Sequence, residues 1–320
     1  MKRAQKAYRT VGKNRNRLLP FLLGGMFALA VLSVGSLFLY RSISKRIHTN
    51  PSIAMLKDNW KVYDYEAVYN ISGALLEKNP FDNNTALTYR GYAAFYLALA
   101  ATVPAQAQSF IDEAVRALRL AAMHAKERTL PQIYYMLGKS YFYKNSIFSY
   151  HYYADMAVRY LLLAKDSGYE SDDISEYLGL CYAQLGMTTQ SIAAFSEALL
   201  VRESDTLLLA IAEQYFKGEQ PATAKQYLFR IIQRSDDDFL VMRSRALLGN
   251  ILLGEDDFDG AEKEFEAIIE KNDNSADAHY GLGLVYESRG NLAKARAEWR
   301  KTLRIQVNHA DALGKIQYYR

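Results

Sequence analysis

The chain contains a single cysteine, and its first 57 residues contain no aspartate or glutamate. Cys181 is the one cysteine among 320 residues, which excludes an intramolecular disulfide and a cysteine-rich metal site. No acidic residue precedes Asp58, whereas residues 1–57 contain eleven lysines and arginines. Residues 58–320 carry 28 basic and 35 acidic side chains and are therefore mildly acidic. Because nucleic-acid binding would require a basic face on the folded part, the sequence argues against that class of partner.

The sequence also lacks the signatures of enzymes. Its five histidines form no pair at i and i+4 and no HExxH motif, and neither a Gly-x-Ser-x-Gly nor a phosphate-binding Gly-x-x-x-x-Gly-Lys sequence occurs. Aspartate clusters such as residues 236–238 do not have the spacing of a calcium-binding loop. We therefore predict no catalytic residue, no metal site and no cofactor.

One long hydrophobic run lies near the start of the chain. The 23 residues 18–40 carry no charge, and a helix of that length would measure about 34 Å, enough to cross a hydrocarbon core of roughly 30 Å. The run predicts a transmembrane helix after a basic leader, residues 1–17. Seven basic residues precede it and three follow closely, which predicts a cytoplasmic leader and a periplasmic or extracytoplasmic remainder. Cleavage of a signal peptide near residues 34–36 is the alternative.

A repeated Leu-Gly pair dominates the remainder of the chain. The pair occurs as Leu137-Gly138, Leu178-Gly179, Leu248-Gly249 and Leu282-Gly283. The last two pairs are separated by 34 residues, and Tyr286, Ala295 and Trp299 continue the pattern after the final pair. A 34-residue period with small residues at fixed places predicts stacked helical hairpins.

This pattern resembles the tetratricopeptide repeat family, in which a first helix carries W-x-x-L-G-x-x-Y and a second helix carries A-x-x-x-F-x-x-A. The resemblance implies an all-α, right-handed superhelical solenoid of antiparallel helix pairs, which holds a peptide or a helix of another protein on its concave face. A linker, residues 41–51, and a capping helix, residues 310–320, would flank about seven units. The expected units are residues 52–82, 83–128, 130–170, 171–204, 205–241, 242–275 and 276–309. In the second and third units, the residues of the second-helix pattern occur later than the repeat requires. This delay predicts a longer connection between the two helices of each of these hairpins.

An aromatic stretch is the first candidate for protein binding. Residues 141–153 contain seven tyrosines or phenylalanines. Exposed rings would form a contact site for a partner or a second copy, whereas buried rings would pack an elongated hairpin against its neighbour. The candidates are Tyr141, Tyr143, Phe148, Tyr150, Tyr152 and Tyr153.

A second candidate group lies in one first helix. Arg243, Arg245 and Asn250 resemble the carboxylate clamp of chaperone-binding family members. The adjacent helices carry other residues in place of the clamp: Glu176, Gln184, Glu213, Gln214, Asp277 and His279. We therefore expect no carboxylate clamp, and a partner with a basic rather than an acidic surface.

These features predict a membrane-anchored scaffold that organises proteins of a bacterial envelope assembly. The chain is also similar to tetratricopeptide proteins of spirochaetes, some of which belong to periplasmic collars around flagellar motors. That similarity rests on the helix end at residues 76–80 and on the tyrosine-rich helices. The alternatives are an exported soluble binding protein released by signal cleavage and an accessory subunit for outer-membrane or cell-wall biogenesis.

Overall fold

The computed structural model describes residues 51–81, 83–147 and 153–319. These residues form fifteen α-helices and no strand. The helices are α1 (Ile53–Lys61), α2 (Tyr65–Lys78), α3 (Asn84–Ala100), α4 (Pro104–His124), α5 (Leu130–Ile147), α6 (Ala154–Asp166), α7 (Ile174–Gln184), α8 (Thr188–Val201), α9 (Asp205–Lys217), α10 (Pro221–Arg234), α11 (Asp238–Gly254), α12 (Phe258–Lys271), α13 (Ala276–Ser288), α14 (Leu292–Ile305) and α15 (Ala310–Tyr318). No helix in these three ranges is long and apolar enough to cross a membrane. The expected transmembrane helix at residues 18–40 lies outside the described residues.

Consecutive helices pair into seven hairpins in the described part of the chain, from α1–α2 to α13–α14, and α15 packs on the last of them. Each first helix from α1 to α11 also contacts the first helix of the next hairpin. No comparably extensive contact joins successive second helices within the described ranges. The first helices therefore form the inner face of the stack and the second helices form the outer face. The predicted all-α solenoid of helix pairs is confirmed.

Local sequence signals begin and end the helices. Ser275 and Asn291 cap α13 and α14, since their side chains accept hydrogen bonds from the backbone N–H groups of the first turn. Pro104 and Pro221 stand at the start of α4 and α10, where a helix does not need the missing N–H donor. Gly290 has a φ of 75° in the turn between α13 and α14, a conformation that favours glycine.

The glycine of each Leu-Gly pair lets a bulky side chain of the second helix approach the first helix. A methyl group on Gly249 would lie 2.8 Å from the ring of Phe265, and one on Gly283 would overlap the indole of Trp299. Larger residues at these positions would force the two helices of a hairpin apart. The same relation holds for Gly138 with Leu161 and for Gly179 with Phe195. The residues that complete the pattern in the core are Leu137, Leu178, Leu248, Leu282, Ala295 and, half-buried, Tyr286.

The expectation of a lengthened tip is wrong for the second hairpin. Helices α3 and α4 contain 17 and 21 residues, whereas α13 and α14 contain 13 and 14. Residues 101–103 are all that connect α3 to α4, so the additional residues extend the helices instead of the loop. One expected unit boundary also shifts, because α11 begins at Asp238 and residue 242 lies inside it.

Candidate protein-binding groove

Tyr141 lies in the interior of the α5–α6 hairpin, although the sequence suggested a binding residue. It is 4% exposed, and its ring stacks on that of Tyr160 with the centroids 5.6 Å apart. The ring of Tyr153 lies 6.0 Å from the same ring. Burial raises the pKa of Tyr141. This part of the aromatic prediction is corrected, because a buried ring offers no contact surface.

Tyr143 and Tyr153 are half-buried instead. The Tyr143 ring lies 5.5 Å from that of Phe95, and its hydroxyl is hydrogen-bonded to the Tyr177 hydroxyl at 3.1 Å. The ammonium of Lys144 lies 4.6 Å from the centre of the Tyr153 ring. Both tyrosines join neighbouring helices, and a part of each side chain remains accessible.

The remaining three aromatic candidates are Phe148, Tyr150 and Tyr152. They lie outside the described residues, between α5 and α6. Their role in protein binding stays a prediction.

The second candidate group does not converge on one ligand position. Arg243 reaches back to Glu213 of α9 at 2.7 Å, whereas Arg245 pairs with Glu264 of α12 at 2.6 Å. Asn250 is exposed on the same helix. Because each arginine already pairs with a carboxylate, the geometry gives no support to a clamp for a partner's carboxylates.

The inner face carries an open groove of about 700 Å³ between α5 and α7. We call it the inner groove. Its walls are formed by Phe142, Tyr143, Ser171, Asp172, Asp173, Glu176, Tyr177, Leu180 and Arg202. The groove thus combines aromatic rings with three carboxylates and one arginine.

A hydrogen-bonded network around Lys139 supports the floor of the inner groove. The ammonium group donates to Asp173 Oδ2 at 3.0 Å and to the Tyr135 hydroxyl at 3.1 Å. The Tyr135 hydroxyl and the Ser171 hydroxyl both donate to Asp173, at 2.8 and 2.5 Å. The ammonium also lies 4.8 Å from the centre of the Tyr177 ring, a distance typical of a cation–π contact.

This network keeps Lys139 and Asp173 charged. Burial by itself would raise the pKa of Asp173, but the hydrogen bonds from Ser171 and Lys139 outweigh it and hold that pKa below its usual value. Burial would likewise lower the pKa of Lys139, yet its hydrogen bonds to Asp173 and Tyr135 raise it. The pair is mostly shielded from water, with side-chain exposures of 16% for Lys139 and 30% for Asp173. Each partner therefore compensates the burial of the other.

Two further carboxylates of the inner groove are paired weakly, or not at all, with the described residues. Asp172 is exposed and forms no ion pair within the described ranges. Glu176 faces Arg202 at 3.4 Å, and the arginine side chain is 71% exposed. An exposed ion pair of this kind contributes little stability. Asp172 and Glu176 can therefore receive a positive charge from a partner, while the rings of Phe142 and Tyr177 pack on its apolar atoms.

The sequence interpretation missed Lys139 and Asp173. A lysine within the tyrosine-rich helix α5 was a signal that could have drawn attention to Lys139. Asp173 offered no comparable signal, because its pairing depends on how α7 packs against α5.

Comparison with known proteins shows the fold of this array. Residues 246–306 match the family model of the tetratricopeptide repeat. The C-terminal part of a TPR repeat-containing protein from Cytophaga hutchinsonii is similar in structure, with a TM-score of 0.58 and 12% identity over 83% of this chain and 99% of that one. A search of curated proteins finds no match. The described part of the chain is therefore a tetratricopeptide-like solenoid.

Two other solved structures are similar over shorter parts of the chain. YrrB, described as a TPR protein with an unusual peptide-binding site, has a TM-score of 0.48 and 24% identity over 62% of this chain and 97% of its own. MamA from Desulfovibrio magneticus has a TM-score of 0.48 and 15% identity over 56% of this chain and 97% of its own.

Proposed function

We propose that this chain is a membrane-anchored scaffold whose helical array holds a segment of another protein in the inner groove. The observation that carries the proposal is the combination of accessible rings and weakly paired carboxylates on the inner face. A groove between packed first helices can hold an extended segment with little rearrangement, because the hairpins on either side fix its walls. Enzymatic activity forms no part of the proposal.

The chemistry of the inner groove favours a partner segment that contains arginine or lysine beside apolar residues. Asp172 and Glu176 supply negative charge, and Phe142 and Tyr177 supply flat apolar surface next to it. Arginine combines a charge with a planar group that stacks on rings. In the free protein, the guanidinium of Arg202 lies next to the Glu176 carboxylate. We expect an arginine of the partner to replace Arg202 as the cation beside Glu176.

A phage-displayed peptide library, selected on the full-length protein in an uncharged detergent, tests this proposal. We expect the enriched peptides to contain arginine or lysine beside apolar residues. Replacing Asp172 and Glu176 with lysine should weaken their binding at least about tenfold, which corresponds to about 1.4 kcal/mol. A matched variant with Glu77→Lys and Glu127→Lys, two exposed glutamates outside the groove, should bind as the wild type does. Enriched peptides without basic residues, or equal binding by both variants, would contradict the proposal.

The membrane anchor is the second part of the proposal, and it rests on residues 18–40. The uncharged run is long enough to span a bilayer, and the excess of basic residues before it favours a cytoplasmic leader and a periplasmic array. N-terminal sequencing of the membrane and soluble fractions distinguishes anchoring from release. A protein in the membrane pellet that retains residues 1–40 would support the anchor. A protein in the soluble fraction that starts near residue 37 would support the alternative, an exported binding protein released by cleavage.

The assembly that the array serves is open to direct test. A flagellar motor collar and an outer-membrane or cell-wall biogenesis machine are the two candidates that the sequence suggests. Affinity capture with the native anchor retained, followed by identification of proteins that are lost from the Asp172→Lys/Glu176→Lys variant, separates them. Motor proteins among these would support the first candidate, and biogenesis factors would support the second.

A further inference from the structure

The outer helices of the last two hairpins carry opposite charge. Helix α12 contains five acidic residues and two lysines, whereas α14 contains five basic residues and one glutamate. Both are second helices, so each presents one side to the outer face of the array. Opposite charge on neighbouring helices of one surface is a source of electrostatic complementarity between two copies of that surface.

The charges lie at equivalent positions of the repeat. Glu262, Glu266 and Glu270 form the acidic stripe of α12, and Arg296, Arg300 and Arg304 form the basic stripe of α14. Residues spaced by four lie on one side of a helix. Each arginine follows its counterpart glutamate by 34 residues, which is the period of the repeat. The two stripes therefore occupy the same height on their respective helices.

Four of these side chains are exposed and form no ion pair with the described residues. Glu266, Glu270, Arg300 and Arg304 are exposed, and none of them forms a salt bridge within the ranges that the structure describes. By contrast, Glu262 pairs with Arg289 at 2.5 Å. Exposed arginines without a counter-charge are available to a second molecule.

Apolar atoms accompany both stripes. Leu303 of α14 and Ile269 of α12 occupy equivalent positions, 34 residues apart, and both are partly exposed. Leu303 lies in a shallow surface groove of about 590 Å³ together with Ala297, Arg300 and Arg304. The patch can therefore exclude water from a contact as well as supply charge.

From this arrangement we infer that two copies of the chain associate through the outer faces of α12 and α14. A two-fold axis that runs parallel to the helices and between them places α12 of each copy opposite α14 of the other. Because the stripes have the same height, this axis brings Glu266 opposite Arg300 of the second copy and Glu270 opposite Arg304. The symmetry repeats both pairs, so the interface is isologous and closed.

The association is sensitive to salt. Ion pairs at an accessible surface are screened by dissolved ions, with a Debye length of about 10 Å at 0.1 M and about 3 Å at 1 M salt. The inner groove lies on the opposite face of the stack, so dimerisation leaves it accessible. The inference therefore stands independently of the peptide-binding proposal.

Charge reversal in the full-length protein tests the inference. The first variant carries Glu266→Arg and Glu270→Arg, so that both of its stripes are basic. The second carries Arg300→Glu and Arg304→Glu, so that both of its stripes are acidic. In sedimentation velocity at low salt in an uncharged detergent, we expect the dissociation constant of each variant's dimer to rise at least about tenfold.

Mixing the two variants provides the decisive measurement. In a mixed dimer every basic stripe faces an acidic one, so an equimolar mixture should recover the wild-type dissociation constant. A control with the same change in net charge, Glu77→Arg and Glu127→Arg at exposed sites far along the chain, should dimerise as the wild type does. A monomeric wild type at low salt, or a mixture that associates no better than its components, would overturn the inference.

Discussion

Helices α3–α7, the aromatic region, and α9–α14, the regular region, share the contact between a glycine and a bulky side chain but differ in how many rings meet between helices. In the aromatic region, rings of different helices contact one another, as Phe142 does with Tyr177 at 4.9 Å between centroids. In the regular region, a single large side chain such as Phe265 or Trp299 packs against a glycine of the first helix. The comparison teaches that the glycine contact positions hairpins in both regions, whereas the additional rings of the aromatic region join neighbouring hairpins.

Each region contains a shielded charged network, formed around Lys139 and Asp173 in the aromatic region and around Glu298, His279 and Lys301 in the regular region. The aromatic region surrounds Lys139 with Asp173 and tyrosines, largely shielded from water. In the regular region, ion pairs such as Arg243–Glu213 join successive hairpins at the surface. Surface pairs contribute little stability, whereas a buried charge must remain paired. Lys139 and Asp173 therefore depend on each other, and they lie in the region that also forms the inner groove.

The largest expected effect tests the glycine contact of the regular region. Gly283→Ala should destabilise the last hairpin by about 3 kcal/mol, because its methyl group would overlap the indole of Trp299. Urea unfolding followed by circular dichroism measures the change. In a Trp299→Leu background the additional cost should fall, as a double-mutant cycle would show. Gly254→Ala is the control, because a methyl group there meets no atom within 4 Å.

The next effect tests the dependence of the aromatic region on Lys139. Lys139→Met should destabilise that region by about 2 kcal/mol, because it leaves the Asp173 carboxylate shielded from water without its cation. Hydrogen exchange should show faster exchange in α3–α7 and little change in α9–α14, since hairpins of a solenoid contact only their neighbours. Lys263→Met, at an exposed lysine, should leave both regions unaltered. Equal loss of protection in both regions would show that the array unfolds as one unit.

A smaller effect compares two tyrosine pairs. Tyr177→Phe removes the hydrogen bond to the Tyr143 hydroxyl and should cost about 1 kcal/mol. Tyr227→Phe in the regular region is the matched change, because Tyr227 stacks on Tyr215 at 5.7 Å and its hydroxyl forms no hydrogen bond with the described residues. We expect a change in unfolding free energy for the first variant and almost none for the second. Similar changes in unfolding free energy for the two variants would contradict the expectation that the tyrosine hydroxyl contributes to stability only in the aromatic region.

The smallest effect is a dependence of stability on pH in the aromatic region. The pKa of Asp173 is lower in the folded protein than its usual value, so its contribution is fully present above about pH 5 and is lost as the pH falls through the folded pKa. The difference in unfolding free energy between the wild type and Asp173→Asn should therefore shrink on acidification. A difference that stays constant down to about pH 2 would contradict the proposed charge state.

The sequence predicted the hairpin stack better than the groove. The Leu-Gly pairs, and the 34-residue spacing of the last two, identified the helix pairs, because small residues at close contacts follow a local rule. The aromatic stretch indicated a region of interest, yet the pattern could not distinguish the buried Tyr141 from the half-buried Tyr143. Both residues lie in one helix with similar neighbours in sequence, and only the position of α6 and α7 around α5 separates them.

The sequence by itself determined the periodic architecture, the acid-free start with its uncharged run, and the opposite charge of α12 and α14. These properties depend on residue type and spacing alone. Only the tertiary structure decided that Lys139 pairs with Asp173, that Arg243 and Arg245 are neutralised by different helices, and that Glu266 and Arg300 remain unpaired among the described residues. The physical reason is that each of these states depends on contacts between helices, and the distance and rotation between helices are set by the packing of many side chains at once.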